Sequence, residues 1–238
     1  MSAGSVPEAV VAAEAIDAFR ALGVTAFTTG RAAGSFGTQS DEPVRDVMAR
    51  WASLRSHLGV ARFATAPQVH GDVILEHDGR WTGWLRGDAA DGHLAPMGGT
   101  AMAVTVADCV PVFIAHPAGA AAILHSGWRG TAAGITERAI ARMRSLGHAA
   151  GDLHVHLGPA ICGKCYEVSP DVARRLTGRD PGRHVTVDLR DLIARRARDL
   201  GVSTITSSAY CTRCDNDRFF SHRAGDAGRQ LGVIVAAR

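Results

Sequence analysis

Hydrophobic positions recur along the chain with two periods, and these periods predict strands and helices. The segment VTAFTT at 24–29 alternates apolar and polar residues, which predicts a strand. The segment 44–58 has apolar residues at helical spacing and is followed by Gly59, a residue type that commonly ends helices. A helix is also predicted upstream, from near Ser5 to just before Gly23. Its apolar face consists of Ala12, Ile16, Phe19 and Leu22.

The rest of the chain mixes both patterns without a strict strand–helix alternation. TAMAVTVADCVPVFIAHP, at 100–117, is almost wholly apolar and predicts one buried strand. Further strands are predicted at 120–125, 153–159 and 230–238, and further helices at 131–146, 171–178 and 191–201. We therefore predict an α+β fold with mixed β-sheets and flanking helices. Residues 24–238 are expected to form a single compact domain, and residues 1–23 a helical extension.

Composition narrows the classes of protein that fit. No apolar run reaches the roughly 20 residues of a membrane helix, and the N-terminus lacks the basic-then-apolar pattern of a signal peptide. We therefore expect a cytoplasmic protein without a membrane partner. The net charge is +3, and the arginine cluster at 190–198 follows an amphipathic pattern typical of a solvated helix face. A nucleic-acid partner is not expected.

Three possible metal ligands occupy similar local settings. His70, Cys109 and His125 each come at the end of an apolar, strand-like run and close to a Gly or Pro that turns the chain. Side chains at strand ends can converge in a cleft. Two imidazoles and one thiolate would give zinc three protein ligands and leave a fourth position for water, as in catalytic zinc sites. Zinc would lower the pKa of that water toward about 7. Each residue taken singly also fits an ordinary strand terminus or core position, so spacing alone leaves metal binding open.

Other cysteines and histidines suggest alternatives. Two C-x-x-C pairs resemble a zinc knuckle, but the long segment between them favours free thiols. His154 and His156 form one H-x-H pair, whereas copper oxidases use several such pairs. A single copper held by two His and one Cys, with an axial Met, also stays open. The four cysteines of the pairs are Cys162, Cys165, Cys211 and Cys214, and the candidate axial residues are Met97 and Met102.

A set of motifs points to a known family. QVHGD, VADCVPVFIA, LHSGWRGTAAGI, GPAICGKCYEVSPDV, VDLR and YCTRCDNDRFFSHRAGDAGRQLGVI stand in this order along the chain. Together they resemble the laccase-domain family, also called the multicopper polyphenol oxidoreductase or purine nucleoside phosphorylase family. The resemblance covers the chain from about Val24 onward. It implies an α+β fold and a metal site at His70, Cys109 and His125.

The family resemblance also implies a chemistry. Members act on purine nucleosides, by phosphorolysis of adenosine, inosine and methylthioadenosine and by deamination of adenosine. Phosphorolysis needs a cationic pocket, and Arg129, just before a predicted helix, suits phosphate oxygens. Further substrate contacts are predicted for Arg31, Ser35, Gln68 and Ser126. Trp128, Phe36 and Tyr166 are candidates for stacking on the base.

The first loop, FTTGRAAGSFGTQSDEP, departs from the family pattern, which places the substrate end of the pocket in question. A proton shuttle for deamination is not assigned, and Asp108 is expected to point away from the metal because neighbouring strand residues face opposite sides.

Four functions compete. They are a zinc-dependent purine nucleoside phosphorylase with deaminase activity, a copper phenol oxidase, a hydrolase or deamidase with a Cys nucleophile and a His base, and a metal-binding or cell-wall-associated accessory protein that has lost activity through its altered first loop. We expect a monomer or a weak homodimer.

Overall fold

The computed structural model describes residues 12–40 and 42–236. Within them, 14 strands and five α-helices follow one another along the chain. The strands are β1 (Ala12–Ala15), β2 (Val24–Thr29), β3 (Arg62–Thr65), β4 (Ile74–Glu76), β5 (Gly83–Arg86), β6 (Gly92–Ala95), β7 (Thr100–Val106), β8 (Val110–Ala115), β9 (Ala121–Ser126), β10 (His154–Leu157), β11 (Glu167–Val168), β12 (Val185–Thr186), β13 (Thr204–Ser207) and β14 (Gln230–Ala236). The helices are α1 (Val44–Leu58), α2 (Trp128–Ala133), α3 (Ile135–Ser145), α4 (Pro170–Thr177) and α5 (Leu189–Asp199).

Two six-stranded mixed sheets form the centre of the fold. Sheet I has the order β1-β2-β14-β7-β3-β5, and sheet II has the order β13-β10-β8-β9-β6-β4. In sheet I, β3 pairs in parallel with both β5 and β7, whereas β14 pairs antiparallel with β2 and β7. In sheet II, β8 pairs antiparallel with β9 and β10. The predicted fold class, α+β with mixed sheets and flanking helices, is confirmed.

Apolar side chains define four layers. Between the two sheets, Met102 of sheet I packs with Phe113 and Ile123 of sheet II, all of them fully buried. The outer face of sheet I is covered by α1, whose Trp51 and Leu54 point inward as the helical spacing requires. The outer face of sheet II is covered by α3, α4 and α5. No helix in the described part of the chain is long and apolar enough to span a membrane.

The N-terminal prediction is wrong over the residues that the structure describes. Ala12–Ala15 is strand β1 on the edge of sheet I, and Asp17–Leu22 is a short 3₁₀ helix rather than an α-helix. Gly23 ends it with a φ of 69°, the left-handed conformation expected at a helix end. The predicted starting residue, Ser5, lies outside the described residues. Strand β1 forms because β2 offers it an edge to pair with, which overrides a weak helical pattern.

The single strand predicted at 100–117 is in fact two strands in different sheets. Strand β7 belongs to sheet I and β8 to sheet II, and the chain crosses between them at 107–109. At the crossing Asp108 has a φ of 76°, which an extended strand cannot contain. The helix predicted at 131–146 is likewise divided, because Gly134 has a φ of 80° and separates α2 from α3.

The chain passes from sheet I to sheet II between β3 and β4 and again between β7 and β8, and each of these crossings carries a candidate metal ligand. Strand β3 lies in sheet I and β4 in sheet II, so the loop 66–73 also passes from one sheet to the other. His70 is in this loop, and Cys109 is in the second crossing. His125 is near the end of β9, which is paired with β8. The sheet topology therefore brings three distant segments to one place.

Candidate metal centre

His70, Cys109 and His125 converge as the sequence predicts. One ring nitrogen of each histidine and the sulfur of Cys109 lie within 4.8 Å of one another. The two imidazole rings are 4.7 Å apart between centroids and nearly perpendicular. His125 is buried at 3% exposure, Cys109 is partly buried and His70 is exposed, so the cluster opens to solvent on the side of His70. Two nitrogens and one sulfur with one open side form a donor set that suits zinc with a free coordination position.

A buried carboxylate orients His125. The Asp91 side chain has no exposed surface, and its Oδ1 accepts a hydrogen bond from Nδ1 of His125 at 2.7 Å. This bond places a proton on Nδ1 and leaves Nε2 as the nitrogen that could bind a metal ion. Burial by itself would raise the pKa of Asp91, but the hydrogen bonds from His125 and from the Gly71 N–H outweigh it and lower that pKa. Asp91 therefore carries its charge against the imidazole.

The same carboxylate holds the loop that carries His70. Its oxygens accept hydrogen bonds from the backbone N–H groups of Val69 at 3.1 Å, His70 at 2.9 Å and Gly71 at 2.7 Å. His70 has a φ of 60°, a conformation that costs free energy for a residue other than glycine. Three hydrogen bonds to one charged group offset that cost. Asp91 thus connects two of the three candidate ligands.

Cys109 depends on its neighbour for its position. The Asp108 carboxylate accepts hydrogen bonds from the Thr212 hydroxyl at 2.6 Å and from the Arg223 N–H at 2.7 Å. The carboxylate is therefore engaged with the C-terminal segment and is not offered to the cluster, which agrees with the sequence prediction for Asp108. These bonds hold the left-handed turn that presents the Cys109 thiol.

Gly127 provides the space that the thiol occupies. A Cβ on Gly127 would be 2.8 Å from Sγ of Cys109 and 3.4 Å from Cδ2 of His70. A Cβ on Gly130 would be 2.9 Å from the carbonyl oxygen of Gly71, in the His70 loop. The glycines of HSGWRG are thus required because β9 and α2 pass directly against the other two ligand segments.

Without a bound cation, Cys109 and His125 shift each other's pKa in opposite directions. Burial by itself would raise the pKa of the Cys109 thiol, but the charge of His125 and hydrogen bonds from His125 and His70 lower it to about 6. Burial would lower the pKa of His125, but the Cys109 charge and the Asp91 hydrogen bond raise it to about 9. Between these values the pair is a thiolate and an imidazolium, and the thiolate is the form that binds metals.

Two of the residues predicted to contact substrate, Arg31 and Ser35, have hydrogen-bond partners within the fold. The Arg31 guanidinium donates to the carbonyl oxygens of Asn216 and Phe219 and to the Asp226 carboxylate, the last at 2.6 Å. Ser35 is 1% exposed, and its hydroxyl accepts hydrogen bonds from two backbone N–H groups. Both residues fasten the first loop to the C-terminal segment. Both side chains thus have partners within the fold, and their contact with substrate stays a prediction.

Gln68 and Ser126 are also engaged in the fold. The Gln68 amide exchanges three hydrogen bonds with Thr105, two with its backbone and one with its hydroxyl, and so extends the pairing of β3 and β7. Ser126 has no exposed surface and its hydroxyl bonds Thr131 at 2.9 Å. Ser126 follows His125 on β9, and successive strand residues face opposite sides, so it points into the protein. Both polar groups have partners within the fold, and their contact with substrate stays a prediction.

Arg129 is placed differently from these four residues. It lies in the first turn of α2 with its guanidinium 4.5 Å from the ring of Trp128. A shallow depression of about 390 Å³ is lined by Trp128, Arg129, Ala132, Ala133 and Arg175. Within residues 12–40 and 42–236, neither Arg129 nor Arg175 has a hydrogen-bond or ion-pair partner for its guanidinium. The depression is therefore a cationic surface with two available guanidinium groups, directly after Gly127 in the chain.

The residues considered for copper are dispersed. Among the described residues, His154 and His156 join no cluster of three or more possible ligands. Nδ1 of His156 instead bonds the Thr206 hydroxyl at 2.8 Å. Met102 is fully buried in the apolar layer between the sheets, and Met97 is 71% exposed. These positions do not favour either methionine as an axial ligand.

Two residues at this site could not be found from the sequence. Asp91 lies 21 residues after His70 and 34 before His125, in a segment without a distinguishing pattern. The only local sign of a special position in the sequence is Gly92, which follows Asp91 and begins β6. Arg175 is one of several arginines on α4 and α5, and only the packing of α4 beside α2 places it in the depression.

Comparison with known proteins agrees with the fold and the motifs. The family model of the multi-copper polyphenol oxidoreductase laccases matches residues 19–237. A Mycobacterium bovis protein named purine nucleoside phosphorylase is 37% identical over 205 residues, which is 82% of this chain and 80% of that protein. One of the same name from Streptomyces griseus is 32% identical over 208 residues, 83% of this chain and 84% of its own. The crystal structure of YlmD from Geobacillus stearothermophilus superposes with a TM-score of 0.81 at 28% identity, covering 91% of this chain and 93% of YlmD.

Proposed function

The chain belongs to the multi-copper polyphenol oxidoreductase laccase family, and we propose that it acts as a zinc-dependent purine nucleoside phosphorylase. The observation that carries the proposal is the convergence of His70, Cys109 and His125 within 4.8 Å, directly before a helix that presents an available arginine. The names of the Mycobacterium and Streptomyces relatives support the same reaction class. Adenosine, inosine and methylthioadenosine are the proposed substrates.

The donor set favours zinc over copper. Two imidazoles and a thiolate with a solvent-facing side fit a tetrahedral ion with one exchangeable position. Multicopper oxidation needs further histidine clusters, and among the described residues the only other group of possible ligands is made of cysteines. Bound zinc would supply Lewis acidity and activate water near neutral pH. Asp91 holds His125 in the tautomer that binds, and Gly127 leaves room for the thiol.

The cationic depression is the proposed phosphate site. Arg129 and Arg175 line it, and a guanidinium can bind two phosphate oxygens at once. In phosphorolysis a phosphate oxygen forms a bond to C1′ of the ribose as the bond from C1′ to the purine nitrogen breaks. The purine keeps the electron pair and takes a proton. The two arginines would hold the attacking phosphate and keep its charge in place.

Two aromatic residues are proposed to contact the nucleoside. Trp128 lies in the depression, where its ring can contact a base. Tyr166 is half-buried, and burial together with the nearby Cys109 charge raises its pKa to about 12. Its phenol therefore stays protonated and can donate a hydrogen bond to the substrate but cannot act as a base at neutral pH. We also propose adenosine deamination, in which water adds at C6 of the purine and ammonia leaves.

The decisive assay uses adenosine, inosine and methylthioadenosine, each with and without phosphate, with separation of bases, nucleosides and sugar phosphates. We expect free base and ribose 1-phosphate from adenosine only when phosphate is present, and inosine as the product of deamination. Arg129→Ala and Arg175→Ala should each raise the KM for phosphate about tenfold or more, because a hydrogen bond to a charged group contributes about 1.5–3 kcal/mol. Arg144→Ala, at an exposed position of α3, is the matched control and should keep the wild-type KM. No phosphate-dependent product from any of the three nucleosides would refute the proposal.

A second candidate rests on the Cys109–His125–Asp91 arrangement. A thiolate beside an imidazolium that bonds a buried carboxylate is also the arrangement of a cysteine hydrolase. The two candidates differ in their response to metal. Activity that survives a chelator and is abolished by iodoacetamide would favour the hydrolase, whereas loss of activity on chelation and recovery with zinc would favour the phosphorylase. A blue, copper-containing protein would favour the phenol oxidase.

We place this activity in the cytoplasm. All five cysteines of the chain are free of disulfides, as is usual in a reducing compartment. The site also needs Cys109 as a thiolate, and an oxidising compartment would favour its modification.

A further inference from the structure

The four cysteines outside the metal centre form a second cluster. Cys162, Cys165, Cys211 and Cys214 bring their sulfur atoms within 4.8 Å of one another. The long segment between the two pairs, which in the sequence favours free thiols, does not separate them in the fold. Helices α4 and α5, which lie between the pairs, pack on sheet II and return the chain to its starting point. This cluster has no part in the phosphorylase reaction proposed above.

Backbone contacts bring the two C-x-x-C turns together. Ala160 and Cys211 form an isolated parallel bridge, and the Cys162 N–H donates to Sγ of Cys211 at 3.2 Å. In the first turn the Cys162 carbonyl accepts from the Cys165 N–H at 2.9 Å. In the second turn the Cys211 carbonyl accepts from the Asp215 N–H at 2.8 Å, and the Asp215 carboxylate accepts from the Cys211 N–H at 2.9 Å. Each pair is thus held in a tight turn with both sulfurs facing the other pair.

We propose that Cys162, Cys165, Cys211 and Cys214 bind a structural zinc ion. Zinc–sulfur bonds of about 2.3 Å in a tetrahedron place the sulfurs about 3.8 Å apart. The sulfurs of Cys165 and Cys214 are 3.5 Å apart, and the full set lies within 4.8 Å, so small side-chain adjustments reach that geometry. Four protein ligands leave no position for substrate, which makes the site a closed one.

Disulfides explain the arrangement less well. A disulfide brings together two sulfurs and places no demand on a second pair, whereas here all four sulfurs share one space. The charges around the cluster also fit zinc. A zinc ion with four thiolates carries two net negative charges, and each turn contains one cation, Lys164 and Arg213. Lys164 is the single lysine in a chain with 26 basic residues, and the Arg213 guanidinium bonds the Cys165 carbonyl at 3.4 Å.

The ion would clamp the C-terminal segment against the wall of the metal centre. Thr212, within the second turn, donates from its hydroxyl to Asp108 at 2.6 Å, and the Ile161 N–H, beside the first turn, donates to the Asp108 carbonyl at 3.1 Å. Asp108 directly precedes Cys109. A bound ion would therefore stabilise the segments that support the thiol without contacting the substrate.

The test is metal analysis of purified protein together with thiol counting. Wild-type protein should hold two zinc ions per chain. The double variant Cys165→Ser/Cys214→Ser, which changes the second cysteine of each pair, should hold one. It should also unfold at a lower temperature. Lys164→Ala, inside the same turn but not a ligand, is the matched control and should keep both ions. His125→Ala should lose only the other ion, which separates failure of this proposal from failure of the phosphorylase proposal.

A spectroscopic measurement covers the case in which the double variant does not fold. Cobalt(II) exchanged into wild-type protein should give the intense visible absorption of a tetrahedral cobalt thiolate centre, and His125→Ala should retain it. All five thiols should react after denaturation with chelator and without reductant. A wild-type zinc content of one that the double variant retains, or a thiol count reduced by disulfides, would overturn the proposal.

Discussion

Replacing Asp91 by asparagine perturbs the candidate metal centre without replacing any of its three candidate ligands. The Asp91 carboxylate accepts four N–H groups, two on each oxygen. Asparagine keeps one acceptor oxygen and turns an NH₂ group toward the other two donors, in a position with no exposed surface. Hydrogen bonds to a charged group contribute about 1.5–3 kcal/mol each, so the loss of two corresponds to about 3–6 kcal/mol before relaxation.

We therefore expect Asp91→Asn to lower the free energy of unfolding of the zinc-free protein by about 3 kcal/mol. We also expect a 10–100-fold weaker zinc affinity, the usual effect of losing a partner that orients a ligating histidine. Chemical denaturation and competition with a chromogenic chelator measure the two quantities. Asp88→Asn, an exposed position three residues earlier, removes the same charge and should leave both unchanged. The reasoning is wrong if Asp91→Asn matches the Asp88 variant in both measurements.

Three further predictions follow from contacts around the centre. Gly127→Ala should weaken zinc binding at least tenfold because its Cβ would be 2.8 Å from the Cys109 sulfur; Gly151→Ala, with its nearest atom at 3.9 Å, should bind zinc normally, and equal affinities would contradict the account. In zinc-free protein, the rate of Cys109 alkylation by iodoacetamide should rise with pH with a midpoint at about 6, because the pKa of the thiol in the folded protein is lowered to that value; a midpoint near the ordinary thiol pKa of about 8.5 would contradict this prediction. Arg31→Ala should lower the melting temperature yet leave the phosphate KM unchanged, because its guanidinium is bonded to the Asp226 carboxylate and nearby carbonyls; a raised KM would contradict this and indicate that Arg31 contacts substrate.

The convergence of the three candidate ligands could be predicted from the sequence because each has a distinctive local setting. His70, Cys109 and His125 end apolar runs beside Gly or Pro, and the family motifs name the same three positions. Helix α1 and strands β2 and β14 could also be predicted from the sequence, because the apolar residues of each follow one clear period. Local patterns of this kind report which face of an element is buried.

Other features depend on contacts between distant segments and left no local signal. The crossing at Asp108 lies inside an almost wholly apolar run, and the residues that bond its carboxylate are 212 and 223. The sequence also does not show that the Gln68 amide and the Ser126 hydroxyl already have hydrogen-bond partners in the fold. The convergence of the four cysteines depends on how two helices pack, which spacing alone cannot give.

The most direct test of the central claim is to locate zinc by anomalous diffraction at its absorption edge, in crystals of protein purified without chelator. The account predicts a peak at bonding distance, about 2.0–2.3 Å, from one nitrogen of each of His70 and His125 and from the sulfur of Cys109. It predicts that this peak disappears in His125→Ala while the fold is retained. Zinc-replete crystals with no peak among these three side chains would contradict the account.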